Sequence, residues 1–298
     1  MKLLFVGTPA VAVPFLELCA GSEKHELLAA LSQPDRPAGR GMRLRPTPVK
    51  AAAEKLGIKV FQPKKVSDIA EELRALKPDL AVVVAYGRML KPKVLGIPRL
   101  GFLNVHYSLL PRYRGAAPVQ RALMAGEALS GVTLFWIEEG MDSGPIQRKA
   151  ALEIDPNEDA PGLFERLNQL GLRELDKTLE ELSAGTVRRE AQLGEPTLAP
   201  KIEPSEARID FDIPARDFHN KVRGLRAGPR AFSELKLPGR SAPSRLTLLK
   251  TKVELEEPGE AADRALTRGS VTEPSGEEMP PPGSVGGRPA SEAVGAAV

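Results

Sequence analysis

The run Leu80-Ala81-Val82-Val83-Val84-Ala85 constrains the fold more than any other segment of this chain. It is apolar without alternation and centred on consecutive valines. Such a run suits a strand covered on both faces, as in a parallel sheet flanked by helices. Pro78-Asp79 before it and Tyr86-Gly87 after it limit it to strand length, too short for a buried helix.

The flanking sequence repeats the alternation of strand and helix. Leu3 to Val6 is a short apolar run closed by Gly7-Thr8-Pro9, a helical pattern follows from Ala10 to Ala20, and Leu27 to Leu31 reads as a second strand. Pro48 to Leu56 is helical with Gly57 as its stop, and Ser67 is expected to cap a helix carrying Ile69, Leu73 and Leu76. Beyond the central run, Gly101 to His106 and Val132 to Ile137 read as strands, and Pro118 to Ala125 and Gly162 to Leu182 as helices. Residues 1–184 are therefore expected to form an open α/β sheet. Ligands of such sheets bind beyond the carboxyl ends of the strands. Asn104 and His106 stand at such an end, two positions apart and so on one face.

At 298 residues the chain is longer than a single hydrophobic core usually supports, so a second domain is expected. Residues 185–205 place Pro196, Pro200 and Pro204 between short polar pieces and read as a linker. Residues 206–268 have a helical pattern from Ala215 to Val222 and strand-like runs from Ala231 to Leu237 and from Leu246 to Val253, a small β-rich module. Between Arg216 and Lys252 ten Lys or Arg stand against Asp217 and Glu234 alone, which gives that module a basic patch. Residues 269–298 contain five Pro, six Gly and no aromatic residue, a composition expected to remain disordered.

The net charge of +3 is too small to imply nucleic acid by itself, so any basic surface must be local. One segment stands out: from Gln33 to Arg45, Arg36, Arg40, Arg43 and Arg45 accompany Asp35 in a stretch too rich in Pro and Gly for regular structure. It reads either as a solvated loop or as a basic arm that folds onto phosphates. The lone Cys19 cannot make an internal disulfide and reads as a buried thiol in a reducing compartment. Pro9, Pro14 and Glu17 interrupt the N-terminal apolar stretch, and no run is long enough to span a bilayer. A cytoplasmic location without a membrane partner is the expectation.

Candidate chemistry comes from short pieces. The histidines are far apart and the cysteine is alone, so no metal site is expected. Gly7-Thr8-Pro9-Ala10 lacks the further glycines of a dinucleotide loop, which argues against NAD. Asn104-Val105-His106 taken alone is more often packing or capping, and Gly140-Met141-Asp142-Ser143-Gly144 taken alone is a turn with an Asx bond. Their surroundings favour catalysis. Ser108-Leu109-Leu110-Pro111 offers backbone groups to a flat polar ring, and Arg112 and Arg114 beside Tyr113 add charge for an anionic substrate. An amide, an imidazole and a carboxylate together can polarise a carbonyl, shuttle a proton and hold the shuttle in place.

These pieces, with the whole run from Ser108 to Pro118 and Gly131-Val132-Thr133, resemble the folate-dependent formyltransferases. Gln33 to Gly41 and Val83-Val84-Ala85-Tyr86-Gly87 resemble the branch of that family whose acceptor is methionyl-tRNA. The likeness runs from Gly7 to about Leu182, resumes at Lys201 with Glu206-Ala207-Arg208-Ile209-Asp210, and fades after Val253. It implies a Rossmann-like catalytic domain followed by a smaller OB-like β-barrel domain that grips tRNA. That barrel is expected to be incomplete, because Glu277-Glu278-Met279-Pro280-Pro281-Pro282-Gly283 stands where further strands would follow.

The resemblance further implies an enzyme of translation initiation, and a monomer is expected. It would move the formyl group of 10-formyltetrahydrofolate, a co-substrate needing no metal, to the amino group of methionine on initiator tRNA. Asn104, His106 and Asp142 would be catalytic. Ser108, Leu109, Leu110, Pro111, Tyr86 and Gly87 would bind the folate donor, and Arg36, Arg40, Arg43 and Arg45 the tRNA. Asp142 would favour the protonated form of His106 and help relay the amine proton. Other readings are the same transfer to an amino sugar nucleotide or glycinamide ribonucleotide, and a non-catalytic RNA-binding module. The basic insertion and the basic patch favour tRNA over a small acceptor.

Overall fold

In the computed structural model, which describes residues 1–38, 43–236, 238–239 and 242–254, the chain opens with β1 (Lys2–Gly7), a 3-10 turn at Ala10–Ala12, α1 (Val13–Ala20) and β2 (Glu26–Leu31). Next come a short hairpin of β3 (Arg36–Ala38) and β4 (Arg43–Arg45), then α2 (Pro48–Lys55), β5 (Val60–Phe61), α3 (Ala70–Ala75) and β6 (Leu80–Val84). They are followed by α4 (Pro92–Leu95), β7 (Phe102–His106), α5 (Pro118–Met124), β8 (Leu129–Trp136), β9 (Ile146–Glu153) and the long α6 (Ala160–Ser183). After the connecting segment come α7 (Ala215–Gly224), β10 (Phe232–Leu235) and β11 (Ser244–Thr247).

The first body is an open sheet of order β5-β2-β1-β6-β7-β8-β9. Its strands pair in parallel from β5 to β7, while the β7–β8 and β8–β9 pairs are antiparallel, so β8 alone runs against the rest of this sheet. The unbroken apolar runs are explained by two cores, one on each face. Leu3, Phe5, Leu80, Val82 and Val84 join the cluster under α1 and α6, whereas Leu4, Val6, Ala81 and Val83 join the opposite cluster with Leu73 and Val94. Each such fully buried Leu, Val or Phe contributes about 1.5–3 kcal/mol.

Helix α6 starts where the Asp159 carboxylate accepts from Gly162 N, and it buries Leu163, Leu167, Leu175 and Leu179 as one stripe. Its Gly171 lets Phe15 and Val105 approach closely, so the helix backs directly onto β7. Cys19 is fully buried, and burial pushes its thiol up to about 12.

The structure departs from the sequence-based expectations at several points. Ser67 caps no helix: it lies in a 3-10 turn, its hydroxyl meets Asp68, and α3 begins only at Ala70. β9 was not anticipated, because as an edge strand it alternates between one covered and one exposed face and carries Arg148 and Lys149. The basic insertion is regular at its base, where Arg36 pairs with Arg45 across β3 and β4.

The expected linker is not a free tether. Its Ile146↔Glu190 and Arg114↔Leu198 bridges dock it against the first body, and Ala199 and Ile202 are buried. Among the described residues the second segment contributes α7 and the antiparallel β10–β11 pair. A complete OB-like barrel is not seen there, and residues 255–298, including the tail from 269, lie outside the described residues. No helix among those described is long and apolar enough to cross a membrane.

The second segment is fastened to α5. Arg121 holds both Glu206 carboxylate oxygens at 2.6 and 2.9 Å and donates to the carbonyls of Pro200 and Lys201. Arg121 foremost, with the Glu203 N–H, keeps the Glu206 carboxyl below its ordinary value against the opposing effect of burial. A carboxyl depressed in the folded state stabilises above its unfolded pKa and loses that contribution as pH falls through its folded pKa. Glu206→Gln is therefore expected to cost about 1 kcal/mol at neutral pH, lowering Tm by about 2–4 °C. In thermal melts recorded across acid pH, the gap to wild type should close below the ordinary glutamate pKa.

Candidate active site

Asn104 and His106 leave the same face of β7, as their spacing requires. His106 is buried and meets the edge of the Phe135 ring on the neighbouring strand, with centroids 6.2 Å apart. Its Nε2 lies 2.9 Å from the carbonyl oxygen of Tyr113. A carbonyl only accepts, so Nε2 carries the hydrogen and Nδ1 is the nitrogen left for chemistry. Nδ1 faces Asp142 Oδ2 at 3.8 Å.

Asp142 is held from outside its own loop. Its Oδ2 accepts from the backbone N–H of Gly115 at 2.7 Å, a contact across 27 positions of sequence that decides against a purely local Asx turn. Among the described residues, three of the four non-glycine positions with positive φ cluster here: Ala85 (47°), Tyr113 (61°) and Asp142 (47°). Such conformations persist where the surroundings over-determine them, and they concentrate at functional sites.

These groups open onto a cavity of about 360 Å³ beyond the carboxyl ends of β1, β6 and β7. Pro9 and Val11 form one side, Tyr86 to Leu90 another, and Phe135, Ile137 and the loop from Gly140 to Asp142 a third. Asn104 and His106 reach it between them. Among the described residues no hydrogen bond occupies the Asn104 amide, and the buried Tyr86 hydroxyl has no partner. The walls are thus apolar with a few unsatisfied polar groups, the usual constitution of a site for a small-molecule ligand.

Of the residues assigned to the folate donor from sequence, Tyr86 and Gly87 line the cavity, whereas Ser108, Leu109, Leu110 and Pro111 do not. Ser108 Oγ donates to Arg112 O, Leu110 N donates to Thr133 Oγ1, and Thr133 Oγ1 donates to Ser108 O. Lys149 Nζ on β9 also donates to Leu110 O and Thr197 N to Pro111 O, so this stretch is tied into the scaffold behind the cavity wall. Arg112 and Arg114 are also engaged, Arg112 with Glu127 and Arg114 with Gln192 Oε1.

The basic arm meets the site at its root. Arg36 Nη2 donates to Gln33 Oε1 at 2.6 Å, and Gln33 Nε2 donates to the carbonyl of Tyr86 at 2.7 Å. Arg45 is exposed, the Arg43 backbone lies in β4, and Arg40 falls outside the described residues. Sequence reasoning missed Pro9, Val11, Phe135 and Ile137 as cavity walls, Gly115 and Tyr113 as backbone partners, and Gln192. The first group carried only apolar signals, and backbone partnerships leave no trace in residue type.

Comparison with known proteins decides the kinship. The formyl transferase family model matches residues 1–179, and the formyl transferase C-terminal domain model matches residues 201–287. The chain belongs to the formyl transferase family. The C-terminal match continues well past Val253, where the likeness read from sequence faded. Among relatives of this formyltransferase, the methionyl-tRNA formyltransferase of Elusimicrobium minutum is 40% identical over 289 residues, covering 91% of this chain and 85% of that one. That of Parvibaculum lavamentivorans is 45% identical over 268 residues, covering 88% and 86%. The fold is shared with the N-formyltransferase of Helicobacter canadensis solved with folinic acid and dTDP-3-aminofucose: TM-score 0.60, 22% identity, 76% of this chain and 80% of that one.

Proposed function

We infer that this formyltransferase moves the formyl group of 10-formyltetrahydrofolate to the amino group of methionine on initiator methionyl-tRNA, for translation initiation. The acceptor is supported by the two methionyl-tRNA formyltransferases above, at 40% and 45% identity over most of both chains. The chemistry rests on one observation: His106 Nε2 is committed to Tyr113 O, so Nδ1 faces Asp142 at the cavity wall beside Asn104.

The donor fits the cavity by its chemistry. Phe135 and Ile137 offer flat apolar contact, while the unpartnered Tyr86 hydroxyl and the Asn104 amide offer hydrogen bonds. When bound, the donor supplies a formyl carbon activated for attack by an amine. The Asn104 N–H and a protonated His106 Nδ1 stabilise the negative charge that grows on the formyl oxygen. Asp142 stabilises the imidazolium and takes up the proton released by the attacking amine, directly or through a water. His106 gives its Nδ1 proton to the departing nitrogen and is reprotonated by the proton that Asp142 took from the amine. Gly115 N–H keeps the Asp142 carboxylate aimed at this work.

Residues 1–184 form the catalytic domain and residues 206–268 an OB-like tRNA-binding domain in this reading, with 185–205 connecting them and 269–298 a divergent tail. Arg36, Arg40, Arg43 and Arg45 would meet the tRNA acceptor end on the arm rooted at Gln33, and the chain would act as a cytoplasmic monomer. A formylation assay offering charged initiator tRNA, charged elongator methionine tRNA and a sugar-nucleotide amine together tests the acceptor. Transfer to initiator methionyl-tRNA is expected. Transfer to the sugar amine alone would overturn the assignment.

A further inference from the structure

The structure assigns Gln192, in the segment connecting the two family domains, the role of a positioning residue for Asp142, a claim that rests on the formyl-transfer reading of the site. Its side-chain amide is saturated by the site's own scaffold. Nε2 donates to the carbonyl of Asp142 at 2.8 Å and to that of Gly144 at 2.9 Å, while Oε1 accepts from Arg114 Nη2 at 2.6 Å and Nε at 3.2 Å. One amide thus ties the loop carrying the carboxylate to the turn carrying Tyr113 and Gly115, the backbone partners of His106 and Asp142.

The segment holding Gln192 is itself registered on both sides. Before it, Ile146 and Glu190 exchange backbone hydrogen bonds of 2.7 and 3.0 Å. After it, Arg114 N donates to Thr197 O, Ala199 N donates to Arg114 O, and Tyr113 N donates to Thr197 Oγ1 at 2.8 Å. Asp142 sits at φ 47°, a conformation that a non-glycine residue keeps only under restraint. Gln192 supplies restraint at the Asp142 carbonyl itself. Without it the loop relaxes and Oδ2 leaves its place opposite His106 Nδ1.

A double-mutant cycle with Asp142→Asn separates this role from mere stabilisation. Gln192→Leu is expected to lower kcat by about 30-fold, with KM for methionyl-tRNA changed by less than about twofold. In an Asp142→Asn background the same change should cost less than about threefold, because the carboxylate it positions is already gone. Gln192→Glu keeps the acceptor for Arg114 but loses both donors, and should match Gln192→Leu. Full additivity on a slow Asp142→Asn enzyme would overturn the positioning role while leaving the site assignment standing. Asp142→Asn at wild-type rate would overturn the site assignment itself, and the positioning role with it. Thermal melts of both Gln192 variants come first, and failure of both to fold would overturn the positioning role in favour of a structural one.

Discussion

His106→Ala is expected to lower the kcat of formyl transfer by about 10²- to 10³-fold, and Asn104→Ala by a similar factor, the cost of removing one donor to a developing oxyanion. The two side chains share a strand face and the same cavity, so their effects act on one oxygen and should not multiply: the double variant is expected to fall well short of the product of the single losses. Single-turnover formylation of methionyl-tRNA at saturating donor isolates the step, and circular dichroism with a thermal melt establishes that β7 still forms. His106→Ala also leaves Tyr113 O without its donor, so a modest loss of stability accompanies the loss of rate. A folded His106→Ala enzyme within about fivefold of wild type could not be reconciled with the charge stabilisation proposed for Nδ1.

Gly144→Ala is expected to be nearly as damaging although Gly144 bears no functional group. A Cβ built there overlaps the carbonyl oxygen of Trp136 and crowds its carbonyl carbon, which are backbone atoms of β8 that no rotamer change can move aside. The loop between β8 and β9 must shift, and it carries Asp142 two positions earlier and the carbonyl that Gln192 holds. A displacement of about 1 Å at a reacting group costs about 10²-fold in rate, and the donor KM should rise because Gly140, Met141 and Asp142 form part of the cavity wall. Gly162→Ala is the comparison. Gly162 lies in the first turn of α6 and the nearest atoms, on the Asp159 and Glu158 side chains, are at 3.6 Å or beyond, so activity should be unchanged and stability equal or slightly higher. Steady-state kinetics and melts of the two variants side by side test the claim. Equal activity in both would show that the loop tolerates a side chain at Gly144.

The legible parts of this protein were those whose signal is local and continuous. Leu3 to Val6 and Leu80 to Val84 announced themselves because a strand covered on both faces must be apolar at every position, and the cores on either side bear that out. Asn104 and His106 could be paired from sequence because a strand's period of two fixes their common face. β9 escaped notice because an edge strand obeys only half of that rule. The short α3 was overextended because Ile69 and Leu73 fit a helical period whether the first turn is 3-10 or α. Ser108 to Pro111 offer polar groups in sequence, but only the tertiary structure shows that Leu110 N and Ser108 O are already engaged by Thr133 on β8.

Sequence alone determined the open α/β architecture, the residue types able to carry formyl transfer, and the kinship those residues disclose, because hydrophobic period and side-chain chemistry are written position by position. It did not determine which imidazole nitrogen faces Asp142 or what holds Asp142. Those were decided by Tyr113 O, Gly115 N–H and Gln192, brought to His106 and Asp142 by the turn after β7 and by a segment that sequence reads as a linker. The reason is physical. Backbone donors and acceptors are the same in every residue, so where they are aimed is a property of tertiary structure and never of composition.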